Sequence, residues 1–535
     1  MNEMLIGQAG LIGQAGLATR PTPDAAPASI PAPAPIAGWA TAAGGYLLVA
    51  LVLRGLTLGV PALHVDEQFY LLVGDRMLHG ALPYVDIWDR KPIGLFVLYA
   101  AIRALGGEGI IQYQAMALLS ATATALVVNR LARCIAPPAG AFWAGVAYLL
   151  YLSAFNCFGG QAPVFYNLLM ALGAWAMIPI MTRDGQRRLL ARGCAVMALV
   201  GIALQIKYTV LFEGGFFGLA LLYRAYVDGQ SRARIGLSAL IWIAVALAPT
   251  ALAFATYAAL GHGAAFWFAN FQSIFARQEP FLPSLGRLVK EMAVLIPLWL
   301  AIFHAPGRAL AAADGTTGWG TAPGNNPAAL GFLRLWAAFA MAGFLVFGSW
   351  YDHYVAPLLM PLSILAAPML GRKAPGLRIY TGLMLGVGIV AAAYTTIHET
   401  THHASSAQVR RITALIKGQL GHGCAYLNEG DPVLYLTTGS CLLTPYIFPN
   451  HLSGTIDVDS LGINVDAEMV RIMARRPSVV MISADPISKP ANRASRRILL
   501  TALARDYTRY AVTRGGYHDF ELFRLKPGLS PGKPG

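Results

Sequence analysis

Charged residues are scarce in this chain of 535 residues: they make up 12% of it, whereas 56% is hydrophobic. A soluble globular protein carries roughly 25% charged residues. The shortage excludes a soluble fold for most of the chain and indicates a polytopic α-helical membrane protein. The net charge of +14 comes from dispersed basic residues, which argues against nucleic acid as a partner. Such residues more often fix the topology of a protein in the lipid bilayer.

Cysteine is also scarce, with five residues, too few for a disulfide-dense scaffold. Cys134, Cys157 and Cys194 lie in or beside apolar runs and are expected to pack as small hydrophobic side chains. Cys424 and Cys441 lie in the polar C-terminal part and could pair if that part faces an oxidising compartment. The sequence leaves the disulfide and the free thiols open as alternatives.

The N-terminus lacks the features of a cleavable signal peptide, because no basic segment precedes its short apolar patch. Residues 1–36 contain a duplicated LIGQAG and a Pro/Ala-rich run, and we expect a disordered cytoplasmic tail there. Residues 37–397 carry the apolar runs and are predicted to form the membrane domain, with a first periplasmic loop at 61–109. Residues 398–535 are predicted to form a small periplasmic α/β domain.

The apolar runs predict about eleven transmembrane helices, each of which needs about 20 residues. Ile93–Leu105 is shorter and contains Arg103, so we predict a re-entrant or interfacial helix there. Counting it as a span would place most arginine-rich loops outside, against the positive-inside rule. The prediction puts the N-terminus in the cytoplasm and the C-terminus outside a bacterial inner membrane. The predicted spans are 39–60, 110–130, 136–155, 164–182, 193–206, 209–226, 235–259, 288–304, 331–349, 354–371 and 378–396. The predicted cytoplasmic loops carry Arg130, Arg133, Arg183, Arg187, Arg188, Arg192, Arg224, Arg232, Arg234, Arg372, Lys373 and Arg378.

The C-terminal part alternates helix-like and strand-like segments. Helices are predicted at His398–Gln419, Asp466–Ala474 and Arg493–Ala504. Strands are predicted for CAYL, PVLYLTT and SVVMISA, followed by a terminal hairpin of YTRYAVT and DFELFRL. This part lacks a Gly-rich phosphate loop and a His/Cys metal spacing, so nothing in it predicts catalysis.

The stretch that follows the first span opens with two acids, Asp66 and Glu67, and closes with two cations, Arg90 and Lys91. Helix capping accounts for one acid, but not for two at a membrane exit, where desolvation is costly. We predict that Asp66 is a general base and that Glu67 shares this role, holds a cation or orients the acceptor. Arg90 and Lys91 are either snorkelling cations or a clamp for a leaving phosphate; we favour the clamp for Lys91.

Three further features lie outside that stretch or between its ends. Lys207 separates two apolar runs and is either a phosphate ligand or a plain loop lysine. In SWYDHY, an interfacial aromatic belt explains the aromatic residues but not the acid beside the histidine, which can steer the imidazole. We therefore predict that His353 binds the donor or its phosphate. Further substrate contacts are predicted at Tyr70, Tyr84, Asp352 and Tyr354.

These residues resemble the GT-C fold bacterial membrane glycosyltransferases related to protein O-mannosyltransferases and to the lipid A aminoarabinose transferase. The resemblance implies a polyprenyl-phosphate sugar donor, periplasmic transfer to a lipid, polysaccharide or protein of the cell envelope, and an inverting displacement. By position it gives Asp66 the base role and Lys91 the donor phosphate. The matching residues are Asp66-Glu67, Tyr70, Gly80, Pro83-Tyr84, Asp86, Asp89-Arg90-Lys91-Pro92, Gly201-Ile202-Ala203, Lys207, His353-Tyr354, Pro357 and Pro361.

The chain departs from the family pattern at two points. Ile93 replaces the second proline after the lysine, and the usual acid of the second outer loop is missing from NCFGGQAP. No cofactor is therefore firmly predicted, although a divalent metal stays open. A transporter or flippase of a lipid-linked sugar is the alternative function, but the spans lack the internal repeat expected of one. A non-catalytic assembly subunit is a third alternative, which the acid-plus-cation stretch disfavours.

Overall fold

The computed structural model of the protein describes residues 36–183, 188–304, 326–370 and 375–532. The predicted tail, up to residue 35, lies outside these residues, as do Arg187, Arg372 and Lys373. The first part of the chain is helical. Its helices are α1 (Ile36–Arg54), α2 (Val65–Leu78), α3 (Ile93–Arg103), α4 (Ile110–Ala132), α5 (Pro138–Ala154), α6 (Ala162–Thr182), α7 (Leu189–Leu204), α8 (Leu211–Val227), α9 (Arg232–Ala259), α10 (Gly263–Trp267), α11 (Phe281–His304), α12 (Pro327–Val346), α13 (Ala356–Ala366) and α14 (Pro375–His402).

The chain is a multi-span membrane protein. Within the described ranges, six helical segments are long and apolar enough to cross a membrane: α4, α6, the segment ending with α8, α9, α12 and the segment beginning with α14. Shorter apolar helices occur in α3, α5, α7 and in α1 from Trp39 onward. The count of eleven spans therefore stays a prediction.

Two predicted helices near the N-terminus differ in length from the structure. The first span was expected to reach Val60, but α1 ends at Arg54. The helix ends there because the Thr57 hydroxyl and the Thr57 amide both donate hydrogen bonds to the Arg54 carbonyl, at 2.8 and 3.0 Å, and form a turn. The short helix expected at Ile93–Leu105 is present as α3 and has 11 residues. At 1.5 Å per residue it covers about 16 Å, well short of a bilayer core of about 30 Å.

The C-terminal part contains a four-stranded mixed sheet in the order β1-β2-β4-β3. The first two strands are parallel, and the last two form the expected antiparallel hairpin. Every residue of β2 is buried, as its continuous apolar run indicated. The strands are β1 (Ala425–Leu427), β2 (Val479–Ser483), β3 (Tyr507–Gly515) and β4 (His518–Leu525), and the helices are α15 (Ser406–Leu420), α16 (Val433–Thr438), α17 (Pro449–Ser453), α18 (Val465–Ala474) and α19 (Arg493–Asp506).

Two predictions for this part were wrong. PVLYLTT is not a strand but helix α16, whose N-cap is Pro432 and whose C-cap is Gly439 in the left-handed region. The predicted helix His398–Gln419 is two helices, because α14 continues to His402 and Ser405 starts α15 with a capping box. A capping box satisfies two amides that would otherwise lack partners at the start of a helix, so it marks Ser405 as the beginning of a new helix.

The C-terminal part packs against the segment from α2 to Lys91. Hydrogen bonds join the two. Gln68 Nε2 donates a hydrogen bond to Asp431 Oδ1 at 3.1 Å, and Arg76 Nη2 donates one to the Ser440 carbonyl at 2.7 Å. The Trp88 amide donates another to the Pro445 carbonyl at 3.0 Å. A disulfide joins Cys424 to Cys441 across 17 residues, which decides the alternative that the sequence left open. The segment 64–92 is therefore held from both sides, by the helices and by the sheet domain.

Candidate active site

The N-terminus of α2 does not use Asp66 as its cap. The N-cap is His64, whose Nδ1 accepts a hydrogen bond from the Asp66 amide at 3.3 Å. Asp66 thus lies in the first helical turn, where the helix dipole favours a negative charge. Its side chain is half-buried, and Gln161 Nε2 donates to its Oδ2 at 3.4 Å. Because Asp66 does not cap the helix, its carboxylate oxygens remain able to accept further hydrogen bonds.

Asp66 and Lys91 hold each other in the charged state. Burial opposes ionisation of Asp66, but the interactions with Lys91, first of all, and with His64 and His353 outweigh it and hold the pKa of that carboxyl well below its usual range. Burial also lowers the pKa of Lys91, yet Asp89 and Asp66 raise it above its ordinary value. Both groups therefore carry their charges at neutral pH.

Two distant segments complete this cluster. Lys207 lies between α7 and α8 and places its Nζ 3.9 Å from the centroid of the Tyr354 ring, a cation–π contact. Burial, and then the like charge of Lys91, lowers the pKa of Lys207 to about 7. The ring of His353 lies edge-on to that of His64, with centroids 5.8 Å apart. Burial and Lys207 keep the pKa of His353 well below its ordinary value, so its imidazole is neutral.

The Glu67 carboxyl group is enclosed by the loop 156–161. The residue is 2% exposed, and a Cβ on Gly159 would lie 2.1 Å from its Oε2. Burial raises the pKa of Glu67, although the charges of His64 and Arg54 act in the opposite direction. Its Oε1 has no hydrogen-bond partner among the described residues. Glu67 therefore contacts the loop 156–161, and its predicted share in catalysis stays a prediction.

Arg90 contacts the C-terminal part of the chain. Its Nη2 donates to Asp457 Oδ1 at 2.8 Å, and Arg277 Nε donates to the same oxygen at 3.0 Å. Burial raises the pKa of Asp457, but the two arginines bring it below its usual value. The Nη1 of Arg90 has no partner in the described part of the chain, so one side of the guanidinium is unused.

The remaining predicted substrate contacts have structural partners. Tyr70 is 1% exposed, and its ring centroid lies 5.5 Å from Lys91 Nζ. Tyr84 is in the left-handed region, with φ 68°, and its Oη donates to the Lys91 carbonyl at 2.7 Å. Asp352 forms an ion pair with Lys290 at 3.2 Å. Tyr70 and Tyr84 thus support Lys91, and substrate contacts by all three stay a prediction.

Three residues of the cluster could also hold a divalent cation. In the described ranges, the ligand atoms of His64, Asp66 and His353 all lie within 4.8 Å of one another, and two imidazoles with one carboxylate suit a transition metal. Lys91 and Lys207, however, both interact with the same carboxylate and compete with a cation for it. The surroundings therefore disfavour a metal, and no step below depends on one.

A cavity that is partly open to solvent adjoins the cluster at Lys207 and Tyr354, with about 340 Å³ of empty space including the open part. Glu213 in α8 lies on its wall, and sequence reasoning missed this residue although an acid in an apolar run is a strong signal. Asp457 was missed as well, because an acid in a polar segment carries no such signal. The cavity is lined by Tyr166, Lys207, Thr209, Phe212, Glu213, Ala340, Gly343, Phe344, Phe347, Tyr354 and Pro357.

The arrangement of helices and the small C-terminal sheet is that of the GT-C fold of membrane glycosyltransferases. The structure of ArnT from Cupriavidus metallidurans bound to undecaprenyl phosphate is similar, with a TM-score of 0.59 and 15% identity over 94% of this chain and 100% of that one. The oligosaccharyltransferase of Archaeoglobus fulgidus tethered with an acceptor peptide matches with a TM-score of 0.52 and 10% identity, over 90% of this chain and 74% of that one. The TM-scores show a common fold, and at these identities the similarity extends no further than the fold. No family model and no curated relative matches the chain.

Proposed function

We propose that this protein is a membrane glycosyltransferase that moves a sugar from a polyprenyl-phosphate donor to a lipid, a polysaccharide or a protein of the cell envelope. The observation that carries the proposal is the meeting of Asp66 with Lys91, Lys207 and His353 beside a cavity in a GT-C fold. The reaction needs a base for the acceptor and positive charge for the leaving phosphate. The cluster supplies both.

The proposed reaction is a single displacement. Asp66 takes the proton from an acceptor hydroxyl or amine, whose oxygen or nitrogen attacks the anomeric carbon from the face opposite the phosphate. The bond from the anomeric carbon to the phosphate oxygen breaks, and its electron pair leaves with the polyprenyl phosphate. Lys91 neutralises the charge that develops there, with help from Lys207 and from the unused Nη1 of Arg90. The neutral imidazole of His353 donates a hydrogen bond to the phosphate. The product has the inverted anomeric configuration.

We place this reaction on the periplasmic face of a bacterial inner membrane, with the N-terminus in the cytoplasm. The disulfide between Cys424 and Cys441 supports this orientation, because disulfides persist in oxidising compartments and are rare in the cytosol. The arginine-rich short loops support it independently, because such loops favour the cytoplasmic side.

The test is sugar transfer by membranes that contain the full-length protein and a labelled sugar on undecaprenyl phosphate. We expect Asp66→Asn to lower transfer by about 100-fold or more, because a general base is lost, while binding of the donor is retained. Asp485→Asn, a change at an exposed acid of the C-terminal part, is the matched control and should transfer normally. Movement of the intact labelled lipid across the membrane without sugar transfer would contradict the proposal and indicate a flippase.

A further inference from the structure

Glu213 is a buried acid in a membrane helix and is not fully paired. It lies in a segment apolar enough to span a membrane and is 2% exposed. Its Oε1 accepts a hydrogen bond from Trp336 Nε1 at 2.7 Å, and no charged side chain in the described ranges is a neighbour that affects it. A carboxyl group has two oxygens with several acceptor sites between them, so Glu213 can accept further hydrogen bonds. Acids retained in membrane helices at such a cost usually belong to a functional site.

Two hydroxyl groups on the same cavity wall are also unsatisfied. The hydroxyls of Tyr166 and Thr209 face each other, yet neither makes a hydrogen bond of regular geometry to any residue that the structure describes. Tyr166 is fully buried, with 0% exposure. Both residues line the cavity together with Glu213. Unpaired buried polar groups cost free energy, so the wall is suited to an occupant that bears several hydroxyl groups.

The cavity connects this wall to the catalytic cluster. Lys207 lines the cavity and is also within electrostatic reach of Asp66 and Lys91. A ligand placed here has one end at a cation and the other at a carboxyl group with two hydroxyls. A sugar attached to a phosphate matches both ends, because its phosphate suits the cation and its hydroxyl groups suit the carboxyl group and the two hydroxyls.

We propose that the cavity receives the sugar of the donor, and that Glu213 accepts hydrogen bonds from its hydroxyl groups while Thr209 and Tyr166 complete the contacts. The inference rests on the proposed function, which supplies the sugar phosphate. An isoprenyl chain in the same place would leave the carboxyl group and both hydroxyls unpaired, which is costly. The sugar is therefore the favoured occupant, with its phosphate at Lys207.

Glu213 then determines which sugars the protein accepts. A site built to bind a hydroxyl group rejects an analogue that lacks it, because the buried partner is left unpaired. An apolar pocket of the same volume would discriminate far less between sugars that differ by one hydroxyl.

The experiment measures kcat/KM of the full-length protein with undecaprenyl-phosphate donors that carry a hexose, the matching deoxyhexoses or a pentose. Glu213→Gln keeps the shape and the Trp336 bond but replaces one carboxyl oxygen with an NH₂ group, which cannot accept a hydrogen bond. We expect kcat/KM for the preferred donor to fall about 10–100-fold, and its advantage over one deoxy donor to shrink by a similar factor. Inhibition by sugar-free undecaprenyl phosphate should change by less than about two-fold, because the lost contact is to the sugar.

Two hydroxyl variants serve as a matched pair. Thr209→Val should also reduce the preference for the preferred donor over a deoxy donor, but by a smaller factor than Glu213→Gln. If Glu213→Gln does not insert into the membrane, Thr209→Val tests the inference in its place. Thr124→Val removes a buried hydroxyl that donates to the Ser120 carbonyl within α4, away from the cavity wall, and should leave the preference unchanged.

Two outcomes would overturn the inference while the proposed function stands. One is an unchanged sugar preference in an active Glu213→Gln enzyme. The other is an equal loss of affinity for sugar-free undecaprenyl phosphate, which would assign the cavity to the lipid chain. Absence of transfer by the wild type from every donor would instead overturn the proposed function itself.

Discussion

Arg90 and Asp457 form an ion pair at 2.8 Å although 367 residues separate them in the chain. Arg90 is the neighbour of Lys91, and Asp457 belongs to the C-terminal part. Arg277 pairs with the same carboxylate and lies 2.9 Å from Glu279. A single acid of the C-terminal part thus pairs with two arginines from different segments of the chain. One of these arginines is adjacent to the proposed phosphate ligand.

Asp457→Asn should weaken transfer by displacing Arg90 and, with it, Lys91. Breaking a buried ion pair costs about 3–5 kcal/mol because one charge is left unpaired. We expect a lower kcat, and faster proteolysis of the C-terminal part in membranes. Asp459→Asn is the control, because among the described contacts the Asp459 carboxylate accepts a hydrogen bond only from the exposed Gln278 side chain. Equal effects of the two substitutions would show that the Asp457 pair has no special role.

Two substitutions of Lys91 should distinguish the effect of its charge from the effect of its size. Lys91→Ala is expected to reduce kcat/KM about 10²–10³-fold, the usual loss when a group that stabilises developing negative charge is removed. Lys91→Arg keeps the charge in a larger side chain and should recover part of the activity. Transfer assays with Lys417→Ala, which alters an exposed lysine of α15, provide the comparison. Normal kinetics in Lys91→Ala would exclude the phosphate role.

The donor KM should depend on pH through Lys207. The pKa of this lysine is lowered to about 7 by burial and by Lys91, so the ammonium is charged below that pH and neutral above it. A donor phosphodiester stays anionic over this range. We therefore expect KM to rise as the pH increases through about 7, and we expect Lys207→Arg, which keeps its charge, to flatten the profile. A profile that is the same in both proteins would assign the pH dependence to another group.

Loss of the disulfide between Cys424 and Cys441 should destabilise the C-terminal part. It closes a loop across 17 residues, and a loop of that size is worth about 3 kcal/mol in the unfolded-state entropy treatment. Thermal unfolding followed with and without reductant should show a lower midpoint in the reduced protein. Cys134→Ala changes a cysteine outside this pair and should not alter that difference; an unchanged midpoint after reduction would contradict the prediction.

The sequence was sufficient to select the residues of the cluster, but not to show that they meet. Asp66, Lys91 and Lys207 could be selected because each lies in or next to an apolar run, where a charge is costly and usually has a function. Their proximity depends on the packing of helices that are far apart in the chain. Asp457 could not be selected at all, because its importance comes from Arg90 and Arg277 rather than from its own surroundings.

The local fold shows a similar division. The β3–β4 hairpin was predictable because alternation in the strands and a glycine in the two-residue turn, Gly516-Tyr517, are local signals. The segment of α16 was assigned the wrong structure because a short apolar run fits a buried strand and a buried helix equally well. The first turn of α16 contacts Gln68 of α2: the Val433 amide donates a hydrogen bond to the Gln68 Oε1 at 3.3 Å. Local sequence patterns cannot show this contact, because the two residues are far apart in the chain.

The position of Asp457 late in the chain has a consequence for biogenesis. Arg90 leaves the ribosome long before the acid that neutralises it, and the intervening helices must be inserted before the two can meet. During that interval the outer segment carries its cations without their partner. The nascent protein therefore has no completed site, and the proposed transfer would begin only after the C-terminal part has folded onto the segment 64–92.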